Sequence, residues 1–395
     1  MPKPLPSLAK EAWLREPHLQ QLMVAISRAG GEARVAGGAV RNAVLGEPVT
    51  EIDLAVNLQP LEVTRICKAA GFAVHPTGID HGTLTVVVHG KPFEITTLRR
   101  DVTTDGRRAK VAYTDDWQVD ALRRDFTMNA MFADVDGKIY DFTNGYVDAT
   151  RRKVRFVGTP GTRIKEDYLR ILRFFRFHAR YGKSAPDSKG LAACIRHRKG
   201  LKNLSVERIR QELMKLLVAS RAAPTLKIMS ENKILMEITA HNTNWRTLAR
   251  LPPDSVLRLY SLSTDPLSLK DRFRLSNADA KRIEQLVDAP AISPKFREEE
   301  QRRILYALGV KTWQDAVHLA WAKSAKPSTD PAWSALASLP ERWPIPNFPI
   351  KGNDLLASGH AHGPALGQML RELEDWWIAS DFKPTREQLL QKVIQ

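Results

Sequence analysis

The chain has 395 residues, too many for one compact core, and is expected to fold as several packed modules. Hydrophobic residues at 43% and charged residues at 26% are an ordinary soluble balance, and no apolar run approaches the ~18 residues of a membrane helix, so a soluble chain without a spanning helix is expected. The net charge is +16, and residues 126–230 hold 22 Lys and Arg against 9 Asp and Glu. A basic excess confined to one segment is an electrostatic footprint for a polyanion, because neutralising phosphates releases condensed counterions. RNA, DNA, an acidic membrane surface or a plain solvated helical face all fit the charge alone.

The opening Met-Pro-Lys-Pro-Leu-Pro-Ser lacks the apolar core of a secretory signal, and Cys67 and Cys194 cannot build a disulfide framework, so the cytoplasm is the expected compartment. Short β-like runs then alternate with helical stretches through about residue 145. Candidate strands are Ala33–Ala36, Ile52–Val56, Phe72–His75, Thr83–Val88 and Phe93–Thr97, rich in β-branched and aromatic residues. His89-Gly90 between the last two reads as a hairpin turn, so the sheet is at least partly antiparallel. Helices are expected at Val40–Leu45, Pro60–Ala70 and Phe126–Phe132. Beyond about residue 160 the apolar period becomes 3.6, as in Ile164, Leu169, Leu172 and Phe175, and the rest of the chain reads as all α. Six prolines between Pro327 and Pro349 read as a linker before a terminal helical module.

Gly37-Gly38-Ala39-Val40-Arg41 follows a predicted strand and opens a helix. Glycines there let the backbone approach a ligand, and the amides at a helix start favour a phosphate, although a Gly-Gly turn is also common without one. Ten residues later comes Glu51-Ile52-Asp53. Residues two apart on a strand face the same way, so these carboxylates can aim at one spot near the cradle, where Mg²⁺, with its preference for carboxylate and phosphate oxygens, fits. Glu94, flanked by Phe93 and Ile95, is a third acid on a predicted strand, either a further ligand or half of a structural ion pair.

Together these segments resemble the signature of the DNA polymerase β-like nucleotidyltransferase superfamily, and within it the class II tRNA nucleotidyltransferases: the CCA-adding enzymes and bacterial poly(A) polymerases. Further motifs follow in that family's order: Arg123-Arg124-Asp125-Phe126-Thr127-Met128-Asn129-Ala130, Glu166-Asp167-Tyr168-Leu169-Arg170 with Arg173 behind it, and Ser205-Val206-Glu207-Arg208 through Glu212. The resemblance implies an α+β fold arranged like a seahorse. Its parts are a nucleotidyltransferase head with a mixed five-stranded sheet (1–145), an all-α neck (146–225) and body (226–326), and a linker with helical tail (327–395). It also implies CTP and ATP as substrates, tRNA as partner, Mg²⁺ as cofactor, and neither DNA nor membrane as partner.

The residues support specific roles. Two guanidiniums in Arg123-Arg124 can neutralise a triphosphate while Asp125 accepts from a ribose hydroxyl or caps the following turn. Gly37, Gly38, Arg41, Asn129 and Arg173 complete the expected nucleotide-binding set, with Glu51, Asp53 and Glu94 as the catalytic acids and Glu51 and Asp53 on the metal. Asp167 and Arg170, three apart, are expected on one helical face, where an acceptor beside a donor matches cytosine or adenine. Uracil and guanine would set a carbonyl against the Asp167 acceptor, a mismatch of about 1–3 kcal/mol. Arg99–Arg108 resembles the family's flexible loop, and Ser205 with Arg208 reads as a variant capping box. Glu51 and Asn42 stand where the family usually has Asp. The shared motifs leave open a poly(A) polymerase, a partial enzyme adding only C or only A, and a catalytically silent RNA-binding homologue.

Overall fold

The computed structural model describes residues 5–78, 82–105, 108–239, 245–324 and 326–394. The chain divides into two units, 1–243 and 244–395.

The first unit is α+β. Its strands are β1 (Ala33–Ala36), β2 (Asp53–Val56), β3 (Ala73–Gly78), β4 (Thr83–Val88), β5 (Lys91–Thr97), β6 (Arg99–Asp105), β7 (Arg108–Tyr113), β8 (Met131–Ala133) and β9 (Ile139–Asp141). Seven of them form a sheet in the order β3-β4-β5-β2-β1-β8-β9, in which β2 and β5 run parallel and the other pairs antiparallel. The pattern of β4 shows why it is a strand: half-buried Thr83, Thr85 and Val87 alternate with buried Leu84, Val86 and Val88. Its turn into β5 places His89 at φ 47° and Gly90 at φ 86°, the paired positive φ values of a tight hairpin.

The sheet has two strands more than the five expected. β8 and β9 are three residues each, too short to show alternation, and the expected helix Phe126–Phe132 is instead a single 3₁₀ turn (Thr127–Asn129) running into β8. Every residue from Phe126 to Ala133 is buried, so hydrophobicity there carries no period, and pairing of β8 with β1 decides the conformation. The Arg99–Arg108 stretch, expected as a loop, lies in the two-stranded ribbon β6–β7, with residues 106–107 outside the described residues.

Helices of this unit are α1 (Pro17–Arg28), α2 (Gly38–Leu45), α3 (Pro60–Ala69), α4 (Trp117–Arg123), α5 (Gly145–Thr150), α6 (Pro160–Glu166), α7 (Leu169–Tyr181), α8 (Ser188–His197) and α9 (Val206–Leu217), of which α2, α4, α6, α7 and α9 frame the site. α7 buries Phe174, Phe175 and Phe177; Phe156 stacks on Phe174 with centroids 5.3 Å apart, and Phe126 meets Phe177 at 5.2 Å. Such pairs are worth roughly 0.5–1.5 kcal/mol each beyond their buried area, and here they bind α7 to the segment leading into β8 through Phe126 and to the segment ahead of α6 through Phe156. The expected Ser205 cap does not form: Ser205 makes no side-chain bond to the start of α9, and Arg208 is drawn instead to Asp167.

The second unit is helical throughout its described elements, from Trp245–Leu248 to Arg386–Ile394. The long helix Glu298–Lys323 is broken at Gly309, whose φ of 71° only glycine adopts cheaply. Within the proline-rich stretch 327–349 the chain forms two short helices, Pro331–Ala337 and Leu339–Arg342, and Trp333, Leu336 and Leu339 pack with Trp313 in one core. Among the described residues no helix is long and apolar enough to cross a membrane.

Candidate active site

Asp53 opens β2 and is the register partner of Glu94 on β5. Glu51 lies just ahead of β2 rather than within it, a correction to the expected placement of both acids on one strand, yet it lines the same cavity as Asp53 and Glu94. None of these three carboxylates has a hydrogen-bond or ion-pair partner among the described residues. Crowding by the cavity walls raises the Asp53 carboxyl above its ordinary range, the charges of Glu94 and Glu51 raise it further, and Arg124 opposes them. No three His, Cys, Asp or Glu side chains among the described residues gather tightly enough to cage a metal unaided.

The glycine turn sits beside them. Gly37 caps α2 at φ 64°, and a Cβ there would stand 3.1 Å from Arg124 Nη1 and 3.2 Å from the Asn129 carbonyl, so both the conformation and the close approach require glycine. Arg41 on α2 is only 8% exposed. Its Nη1 donates to Asn129 Oδ1 at 2.6 Å, its Nη2 to the Tyr181 hydroxyl at 2.8 Å, and its Nε to Asn42 Oδ1 at 3.1 Å. All three partners are neutral, so the guanidinium is fixed in place while no carboxylate is bonded to its charge. Burial lowers its pKa, and the neighbouring Tyr181 and Asp125 oppose the shift.

Arg123 and Arg124 are both anchored on Asp120 of α4, a side chain that sequence reading did not single out. Arg123 Nε reaches Asp120 Oδ1 at 2.8 Å and Arg124 Nη2 reaches Oδ2 at 2.9 Å, with Asp120 1% exposed. Burial alone would raise the Asp120 carboxyl, but the two guanidiniums overcome it and hold it below the usual range. The i, i+3 and i, i+4 spacings from Asp120 to the arginines were the available signal.

Asp125 acts as a clasp. Its Oδ1 accepts from the Phe126 amide at 2.8 Å and Asn129 Nδ2 at 3.1 Å, and its Oδ2 accepts from Arg173 Nε on α7 at 2.8 Å and from Arg173 Nη2. Burial favours protonation here, but the Arg173 charge and these hydrogen bonds dominate and hold the carboxyl low. With the lone pairs of both oxygens engaged, Asp125 could accept from a ribose hydroxyl only by releasing a present partner.

Asp167 and Arg170 do not share a helical face. Asp167 ends α6 in an extended conformation (φ −155°), and α7 starts only at Leu169. No Gly or Pro marks this break, so the i, i+3 spacing suggested one continuous helix. Asp167 Oδ1 accepts from the Leu169 amide at 3.1 Å and Oδ2 from Arg208 Nη2 at 2.7 Å. Arg170 Nη1 donates to the Arg163 carbonyl at 2.8 Å and to Glu166. The two side chains are therefore unpaired with each other, and Arg170 Nε and Nη2 have no acceptor among the described residues.

All thirteen residues expected at the site line one open cavity of about 690 Å³: Gly37, Gly38, Arg41, Glu51, Asp53, Glu94, Arg123, Arg124, Asp125, Asn129, Asp167, Arg170 and Arg173. Sequence reading did not assign Arg176 or Lys215 to the site and read Arg208 as part of a capping box; all three line the same cavity, Arg176 one turn beyond Arg173 on α7 and the other two from α9. The cavity thus has an acidic edge, a floor of guanidiniums, and an acceptor and a donor from the α6–α7 junction.

Known proteins share this architecture. The family profile described as the poly A polymerase head domain matches residues 33–155, and one described as a probable RNA and SrmB-binding site of polymerase A matches residues 186–239. The chain is 34% identical over 389 residues to the mitochondrial CCA tRNA nucleotidyltransferase 1 of Danio rerio, covering 92% of this chain and 87% of that one. It is 31% identical over 382 residues to the CCA-adding enzyme of Lacticaseibacillus paracasei, covering 92% of each. Among solved structures, the Bacillus stearothermophilus CCA-adding enzyme in complex with CTP superposes with a TM-score of 0.78 at 26% identity, over 95% of this chain and 96% of that one. The fold is that of a nucleotidyltransferase, and the chain belongs to the CCA tRNA nucleotidyltransferase family.

Proposed function

We propose that this chain adds CMP and AMP to the 3′ end of tRNA from CTP and ATP without a nucleic acid template, releasing pyrophosphate. The observation that carries the reading is the register pair Asp53–Glu94 facing one cavity with the arginines and with Asp167 and Arg170.

Glu51 and Asp53, with Glu94 beside them, fit a divalent cation, and magnesium in particular: they are hard oxygen donors, they have no hydrogen-bond or ion-pair partner among the described residues, and burial together with the charges of Glu94 and Glu51 keeps the Asp53 carboxyl high. Mg²⁺ is commonly held by one or two carboxylates with substrate phosphates completing the shell, so it does not require a closed protein cage. Bound there, the ion would lower the pKa of the attacking 3′-hydroxyl and neutralise charge on the triphosphate. Arg41, Arg123 and Arg124, positioned by neutral partners or by the buried Asp120, steady the triphosphate and balance charge developing on the leaving pyrophosphate. Gly37 and Gly38 let the backbone come close to it.

Asp167 and Arg170 select the base. Each keeps hydrogen-bonding capacity that the other does not consume, so the acceptor meets the exocyclic amine of cytosine or adenine and the donor the adjacent ring atom. The basic segment 151–230 holds the acceptor stem of the RNA by its phosphates, a sequence-blind and salt-sensitive contact. Cys67 and Cys194 are buried, and burial pushes the Cys67 thiol up to about 11, which keeps it protonated and a poor nucleophile at neutral pH.

Transcripts of tRNA lacking one, two or three terminal residues, each supplied with a single nucleotide, test the reading. CMP should join ends lacking three or two residues, and AMP the end lacking one. A long run of adenosines with no cytosine would make the chain a poly(A) polymerase instead.

A further inference from the structure

The acidic edge divides two cavities. Besides the arginine-lined one there is a second of about 580 Å³, within the ~300–1,000 Å³ range of small-ligand sites. The residues common to both linings are Glu51, Asp53 and Glu94. The second lining holds one cation, Lys91, where the first holds many, so a triphosphate belongs in the first. In phosphoryl transfer the attacking and leaving oxygens lie in line on opposite sides of the phosphorus. With pyrophosphate leaving toward the arginines, the attacking hydroxyl arrives from the second cavity.

We propose that this second cavity seats the 3′-terminal nucleotide of the RNA being extended, with Trp13 as the stacking platform for its base and Lys91 as the partner of its phosphate. The inference rests on the nucleotidyltransferase reading above and adds these two residues to it. Trp13 is half-buried and lines the cavity, while its indole N–H is buried. What it presents to the cavity is ring carbon rather than a donor, a surface on which any base can stack. Its segment is held at both ends. The Leu8 amide donates to the Gly137 carbonyl at 2.7 Å, and Glu16 caps the helix Pro17–Arg28 by accepting from the Leu19 amide at 2.8 Å. Lys91 Nζ lies 3.4 Å from Glu16 Oε1 in a pair whose lysine is 44% exposed, a weak contact that a phosphate can replace.

The test uses the full-length protein and a tRNA transcript lacking its last two residues, with CMP addition followed at varied RNA and at varied CTP. Trp13→Leu keeps apolar bulk and removes the aromatic face; it should raise the KM for the transcript about tenfold while leaving the KM for CTP within twofold. Trp13→Phe should stay within threefold of wild type on both, with melting temperatures of the two variants matching. Lys91→Met should raise the transcript KM and flatten its dependence on salt. The proposal is overturned if Trp13→Leu leaves the transcript KM unchanged, or raises the CTP KM in parallel, or if Trp13→Phe behaves as Trp13→Leu does. A wild-type chain that extends no RNA would instead overturn the functional reading, a result the wild-type arm records by itself.

Discussion

Asp53 and Glu94 are neighbours across β2 and β5, the parallel pair within an otherwise antiparallel sheet, and with Glu51 they form a ridge that both cavities share. The raised Asp53 carboxyl is the electrostatic signature of that ridge: burial comes first, then the two acidic neighbours. A folded-state pKa above the unfolded value means that the ionised form costs stability at every pH above the folded value, and that the cost disappears as pH falls through it. Asp53→Asn should therefore raise the melting temperature at neutral pH in metal-free buffer, and flatten its change on acidification, in a protein that has lost transfer activity. A lowered melting temperature would show that Asp53 is stabilised by contacts absent from this account.

Glu51 reaches further than the aspartate usual in this family. Shortening it by one methylene, Glu51→Asp, should change CMP addition by less than tenfold, because charge and location persist. Glu51→Gln should cost about 100-fold, the scale expected when a reacting group is misplaced or its charge support removed. Single-turnover rates decide this; activity appearing only in Glu51→Asp would identify the natural chain as a silent homologue.

The Asp125–Arg173 clasp is a stability element as well as a wall of the site. Arg173→Ala leaves a carboxylate that is only 10% exposed without its charge partner and should destabilise the first unit by about 3 kcal/mol, read by thermal or denaturant unfolding. Since the Asp125 carboxyl is held below its unfolded value, its contribution is complete above the ordinary carboxylate range and is lost as pH falls below it. The variant should accordingly lose less stability on acidification than the wild type.

Base choice should depend on Asp167. Asp167→Asn replaces one acceptor oxygen by a donor, so UMP incorporation relative to CMP, compared as kcat/KM, should rise by roughly tenfold to hundredfold. An unchanged ratio would move base selection elsewhere on the α6–α7 junction.

Much of this site could be read in the residues, for identifiable reasons. Motifs built on local geometry were legible: the Gly37-Gly38 turn into α2, the strand carrying Asp53, the His89-Gly90 hairpin, and the helical period of α7. What depends on partners distant in sequence was not. β8 is defined by pairing with β1 rather than by its own pattern, and the break between Asp167 and Leu169 carries no punctuating residue. Asp167 is held by Arg208, 41 residues away, and Arg41 by Tyr181, 140 residues away, and no spacing rule predicts such contacts. Asp120 was locally legible and overlooked, since its arginine partners stand one helical turn on.

The most direct test of the central claim separates binding from transfer. Asp53→Ala should bind CTP with an affinity within about threefold of wild type, because the arginines and the Asp167–Arg170 region remain, and should transfer CMP to a truncated tRNA at least about 10³-fold more slowly. Transfer at an undiminished rate in the presence of magnesium would contradict the account, because the acidic ridge would then have no part in the reaction.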